Sequence, residues 1–156
     1  MEFEKFLSCW QTDVLQHVFD YMNGQDGVYF IYASDEEGVL DFDFFIKVNN
    51  VVYTRNDIRD TSAFNGASTD YESLFNFGVD KLLELEEMFK KNEKPIPTEI
   101  RLTYDSELGA AEINYEYDLM YADDEVLLSD DVFEQWVADV KLNINMTPLF
   151  GKGRNK

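Results

Sequence analysis

Leu40-Asp41-Phe42-Asp43-Phe44-Phe45-Ile46-Lys47-Val48 decides the fold. Leu40, Phe42, Phe44, Ile46 and Val48 fall on one side of a period-two pattern, and Asp41, Asp43 and Lys47 fall on the other. Successive side chains of a strand point to opposite faces, so this is a strand with one apolar face and one largely polar face. Asn49-Asn50 follows and separates it from a second short run at 51–54. Two residues that tolerate positive φ between two apolar runs spell a tight hairpin. Upstream, Asp35-Glu36-Glu37-Gly38 reads as a turn, with Gly supplying backbone freedom. Before it, residues 28–33 form a nearly continuous apolar and aromatic run, the pattern of a strand covered on both faces.

Moving outward, the period changes. Phe3, Phe6, Leu7, Trp10, Val14, Val18 and Met22 recur at three- and four-residue steps, which predicts an amphipathic helix over 3–22 that stops at Asn23-Gly24. Residues 55–69 are polar and read as a long loop. Thr69 with Glu72 fits a capping box opening a second helix, whose stripe of Tyr71, Leu74, Phe75, Leu82, Leu85 and Phe89 runs to about Asn92. Lys90 and Lys91 suit the negative end of its dipole, and Pro95 and Pro97 forbid continuation. Ile100, Leu102 and Tyr104 then alternate with Arg101 and Thr103. After a turn at 106–109, Ala111, Ile113, Tyr115 and Tyr117 alternate with Glu112, Asn114 and Glu116. An acidic loop at 118–129 leads to a helix over 131–142 carrying Phe133, Trp136, Val137 and Val140.

The order is α-β-β-β-α-β-β-α. Tight turns between neighbouring strands imply antiparallel pairing, and strands polar on one side imply a sheet with one face open to water or a partner. The expected architecture is α+β: a single domain over 1–144, with an antiparallel sheet of about five strands and helices packed on one face. Residues 145–156, with Lys152, Arg154 and Lys156, are expected to form a mobile basic tail.

Composition narrows function mainly by exclusion. Of 156 residues, 45% are hydrophobic and 15% aromatic, far too apolar for a disordered acidic chain. Thirteen Lys and Arg against thirty-two Asp and Glu give a net charge of −19. Such a surface repels nucleic acid and anionic membranes, so neither is an expected direct partner; it attracts basic ones. The single cysteine, Cys9, excludes an internal disulfide framework, and the start MEFEKFLSCW lacks the basic and apolar regions of a signal peptide. A cytoplasmic protein is expected.

Catalytic constellations are sparse. His17 and Cys9 lie eight apart on one predicted helix, about 12 Å along its axis, so they do not form a nucleophile–base pair. His17 is expected on the helix flank and Cys9 in the core. Asp123, Asp124, Glu125, Asp130 and Asp131 crowd one loop, but the wrapping pattern of a calcium loop is missing. Glu112 and Glu116 on one strand face are about 13 Å apart, too far for a glycosidase pair. No enzyme activity, cofactor or metal is expected.

The charge is also uneven. Residues 112–134 hold Glu112, Glu116, Asp118, Asp123, Asp124, Glu125, Asp130, Asp131 and Glu134, with no Lys, Arg or His, and with Tyr115, Tyr117 and Tyr121 interleaved. Carboxylates steer and pair with basic groups while tyrosines supply contact area at little entropic cost. The expected partner-binding residues are Glu112, Glu116, Asp118, Tyr121, Asp123, Asp124 and Glu125.

Pro97-Thr98-Glu99-Ile100-Arg101-Leu102-Thr103-Tyr104, the Gly109 turn, Ile113-Asn114-Tyr115-Glu116-Tyr117-Asp118-Leu119 and Trp136 together resemble the YezG-like family of bacterial antitoxin or immunity proteins. The resemblance covers about residues 70–137 and includes the helix ending in a Lys-rich turn. The chain departs from the pattern at Ile96-Pro97, where the family usually has Pro-Trp, and at Asp118, where a doubled acidic pair is common. The resemblance implies an α+β, non-enzymatic protein that neutralises a cognate toxin, here a basic nuclease, by binding it. Two other readings stand beside it: an acidic mimic of nucleic acid that occupies DNA- or RNA-binding proteins, and a carboxylate-dependent hydrolase.

Overall fold

The structure is a computed structural model and describes residues 2–64, 66–121 and 127–143. The elements are α1 (Phe3–Tyr21), β1 (Val28–Glu36), β2 (Val39–Val48), β3 (Val51–Thr54), α2 (Arg55–Arg59), α3 (Tyr71–Lys91), β4 (Glu99–Asp105), β5 (Ala110–Glu116) and α4 (Ser129–Leu142). The strands form one antiparallel sheet in the order β3-β2-β1-β4-β5. The α+β class and the order of main elements agree with the hydrophobic periods. The proposed boundary at 144 and the tail 145–156 lie outside the described residues.

Both two-residue hairpins depend on positive φ. Glu37 and Gly38 stand at 49° and 86° between β1 and β2, and Asn49 and Asn50 at 53° and 64° between β2 and β3. This twist matches that of the flanking strands, so it fixes register. In that register Ile31 of β1 lies between Phe44 of β2 and Leu102 of β4.

One sheet face carries the larger core. Tyr29, Ile31, Ala33, Phe42, Phe44, Ile46, Ile100 and Leu102 meet Phe6, Trp10, Val14 and Val18 of α1 and Leu74, Leu82, Leu85 and Phe89 of α3. The two helices are joined by the Trp10 indole, whose Nε1 donates to Lys81 O at 2.7 Å. Gly78 brings α3 down onto β2: a Cβ there would run into the Phe42 side chain.

The second face is not open across the sheet, which corrects the expectation that all helices share one side. α4 lies there, and Val132, Phe133, Trp136 and Val137 pack on Val28, Phe30, Tyr32, Phe45 and Val52. Phe45, which interrupts the polar side of the β2 pattern, supplies the reason. It stacks on Phe30 at 4.5 Å, and the Trp136 ring meets both edge-on. Those rings would otherwise leave a large apolar patch in water.

Smaller corrections have local causes. The expected 55–69 loop begins with α2, because Thr54 and Asp57 form a reciprocal capping box and Ile58 is buried. α3 is capped by Asp70 rather than Thr69, and the Asp70 carboxylate accepts from Ser73 N–H at 3.1 Å and Ser73 Oγ at 2.7 Å. α4 begins at Ser129, with Leu128 N–H donating to the Asp131 carboxylate at 2.9 Å. Cys9 is exposed on α1, not in the core.

Candidate partner-binding surface

β5 ends the sheet, and its side chains split between core and solvent. Ile113 and Tyr115 lean onto the larger core, where Gln11 Nε2 donates to Tyr115 Oη at 3.3 Å. Glu112 and Glu116 share the second face, opposite Thr103 and Glu99 of β4. Glu112 is half-buried; Glu116 and Asp118 are exposed. Next to them Tyr117 is 49% exposed and Leu119 38% exposed. The end of β5 and the residues after it thus expose Glu116 and Asp118 together with one aromatic and one aliphatic side chain, and half-buried Glu112 lies further back on the same face as Glu116.

The end of β5 is pinned rather than frayed. Thr98 N–H donates to Glu116 O at 2.8 Å, and Thr98 Oγ1 donates to Asp118 O at 2.6 Å. Just beyond, the buried Glu36 carboxylate accepts from Met120 N–H at 2.8 Å and Tyr121 N–H at 3.0 Å. Tyr121 Oη shares a 2.6 Å hydrogen bond with Ser34 Oγ, and the residue is only 6% exposed. Tyr121 thus braces this segment against β1, and its ring belongs to the α4-side core rather than to the outer surface. Asp123, Asp124 and Glu125 lie outside the described residues.

Cations at this end of the sheet are engaged internally. Arg101 Nε donates to Glu99 Oε2 at 2.8 Å, and its guanidinium lies 4.8 Å from the Trp136 ring centre. Glu99 is 2% exposed; burial raises its pKa against the opposing pull of Arg101. Glu99 holds Arg101 through Oε2 and is buried, so its carboxylate is not exposed to a partner. The outer carboxylates of Glu116 and Asp118 do.

A second acidic surface lies on α3, where Asp80, Glu84, Glu86 and Glu87 line a shallow concavity with Leu83 and Lys90. The sequence carries the signal for it, because these residues recur at helical spacing opposite the apolar stripe. Lys81 tempers this surface: its Nζ lies 3.2 Å from Asp13 and 3.1 Å from Glu84.

Elsewhere the polar groups build structure. Arg55 grips Asp43 with two hydrogen bonds of 3.1 and 3.3 Å and lies over the Tyr71 ring, 3.4 Å from its centre. Burial pushes the Asp43 carboxyl up to about 6 in spite of Arg55. The crevice beside them, lined by Tyr21, Arg55, Asn56 and Tyr71, has a volume of about 60 Å³, room for water and little more. His17 stacks on Phe77 at 3.7 Å, and burial lowers its pKa. Among the described residues no three His, Cys, Asp or Glu side chains gather as a metal-holding group, and no helix is long and apolar enough to cross a membrane. No protein-family model matches the chain, and no curated protein matches it.

Proposed function

We propose that this chain is an immunity protein (antitoxin) that binds and blocks a basic bacterial toxin, above all a nuclease, in the cytoplasm. The observation that carries this reading is the margin of the sheet at β5, which exposes Glu116, Tyr117, Asp118 and Leu119 in succession, with Glu112 on the same face as Glu116. A nuclease presents Lys and Arg to a phosphate backbone, so an inhibitor of charge −19 is matched to it in sign and steers towards it at long range. The exposed apolar side chains give such an encounter something to hold once charge has guided it. The YezG-like resemblance runs through these residues and points the same way.

The test is co-expression with the product of the reading frame immediately upstream. Cells making both proteins should survive and yield a stable complex, while cells making the upstream protein alone should stop growing. Death of cells that contain ample soluble antitoxin would contradict the reading. The acidic surface of α3 favours a second reading, mimicry of nucleic acid, because it extends the charge over a second side of the molecule. A mimic binds many unrelated basic proteins with affinity that collapses in salt, whereas an immunity protein discriminates one toxin from its relatives.

A further inference from the structure

We infer that the outer edge of β5 is a docking site for one extended basic strand of the partner, which joins the sheet as a sixth strand; this rests on the reading of the chain as a binder of a basic protein. The backbone directions follow from register. Asp35 N–H donates to Thr98 O at 2.9 Å, and the β1–β4 register continues as Ala33 with Ile100 and Ile31 with Leu102. Backbone groups alternate sides along an antiparallel strand, so the even residues of β4 bond to β1 and the odd ones turn to β5. Glu99, Arg101, Thr103 and Asp105 pair with Glu116, Asn114, Glu112 and Ala110. The residues between them, Ala111, Ile113 and Tyr115, therefore turn their N–H and C=O groups to the outer edge, where no described strand pairs with them.

Among the described residues no strand pairs with the outer edge of this seven-residue strand, and an unpaired edge is a ready template for another chain. Proteins commonly guard such an edge with Lys, Pro or a covering segment; β5 holds neither Lys nor Pro, and guards itself with carboxylates. Edge-to-edge pairing of two copies would crowd Glu112 and Glu116 of both into one narrow strip, so charge disfavours a second copy. The same carboxylates suit a strand that alternates basic and apolar residues. Its Lys or Arg side chains would lie on the face of Glu112 and Glu116, and its apolar ones beside Ala111, Ile113 and Tyr115. Main-chain bonds then give affinity and the alternating side chains give selectivity.

The test uses the full chain, isotope-labelled, and the blocked peptide Lys-Val-Lys-Val-Lys-Val-Lys as probe, read by amide shifts and hydrogen exchange. In the free protein, the amides of Ala111, Ile113 and Tyr115 should exchange quickly while those of Glu112 and Asn114 are protected. The peptide should slow the first three by about tenfold or more, an effect lost in roughly 0.5 M salt and absent with the Glu-Val counterpart. Ala111→Pro removes an outward N–H that has no ladder bond, so it should leave folding intact and abolish the protection. Should that variant fail to fold, the Glu112→Lys/Glu116→Lys variant should fold and lose the same response. Protection of the three amides before any peptide is added, shifts confined to α3, equal binding of the acidic peptide, or dimerisation through β5 would each overturn the proposal. Peptide binding without rescue of toxin-expressing cells would remove the toxin and keep the edge site. Rescue without protection of these amides would remove the edge site and keep the toxin.

Discussion

Strands β3 and β5 both end the sheet, yet they end it in different ways. β3 runs for four residues, and Thr54 at its end turns directly into the cap of α2. Its Val52 lies beneath the α4 helix in the second core. β5 runs for seven residues, and none of them is fully buried. Between the two, β1 is buried along almost its whole length. Stability is thus concentrated around β1 and β2, while β5 packs only through half-buried Ile113 and Tyr115 and turns its carboxylates outward. A mutation should act on one property or the other according to which side of β4 it falls.

The largest effect is expected in the centre. Phe44 is fully buried between the sheet and α1, where Tyr21 meets it edge-on at 5.5 Å. Phe44→Ala should cost about 3–5 kcal/mol in denaturant unfolding. A loss under about 1 kcal/mol would show that the β2 face is not the core the register makes it. Gly78→Ala comes next, at about 1–3 kcal/mol, because the new methyl must displace the Phe42 ring and its gain in helix propensity is smaller than the overpacking cost. An unchanged midpoint would mean that α3 does not approach β2 so closely.

A smaller effect is expected from pH. The folded-state pKa of Asp43 is raised to about 6, mainly by burial, and that of Asp35 is also raised, by burial and by nearby Glu86. A carboxyl with a raised folded pKa takes up its proton more readily folded than unfolded, so its contribution is full below the unfolded pKa and disappears as pH rises through the folded value. The melting temperature should therefore rise as pH is lowered from 7.5 towards 5, and Asp43→Asn should flatten that rise. A fall over the same window would mean that the loss of ion pairs dominates. The smallest effect on stability belongs to the margin: Glu116→Lys or Asp118→Lys should change unfolding free energy by no more than about 0.5 kcal/mol, since both are exposed.

The same division governs what could be read from the sequence. The β2 alternation, the Asn49-Asn50 turn and the α1 and α3 stripes are local patterns, and local patterns carry the fold. Phe45 was the visible sign of a second core, since an aromatic on a polar strand face demands a cover; its cover, Trp136, lies far along the chain. Tyr121 shows the limit more sharply. A tyrosine among carboxylates looks the same whether it meets a partner or, as here, spends its hydroxyl on Ser34, 87 positions away. α2 escaped because a helix of five residues spans less than two turns and so shows no repeating apolar stripe, although Thr54 and Asp57 already spelled its cap. At the proposed site, Glu112, Glu116 and Asp118 were legible from charge alone, whereas exposed Leu119 and the free edge required the strand order.

The most direct measurement is the association kinetics of wild-type protein and the Glu112→Lys/Glu116→Lys/Asp118→Lys variant with the purified product of the reading frame immediately upstream, the proposed toxin, across a salt series. The variant should melt within a few degrees of wild type, associate about tenfold or more slowly at low salt, and show a flatter salt dependence. Wild-type rates at both low and moderate salt would contradict the account and show that the β5 margin is not where the partner lands.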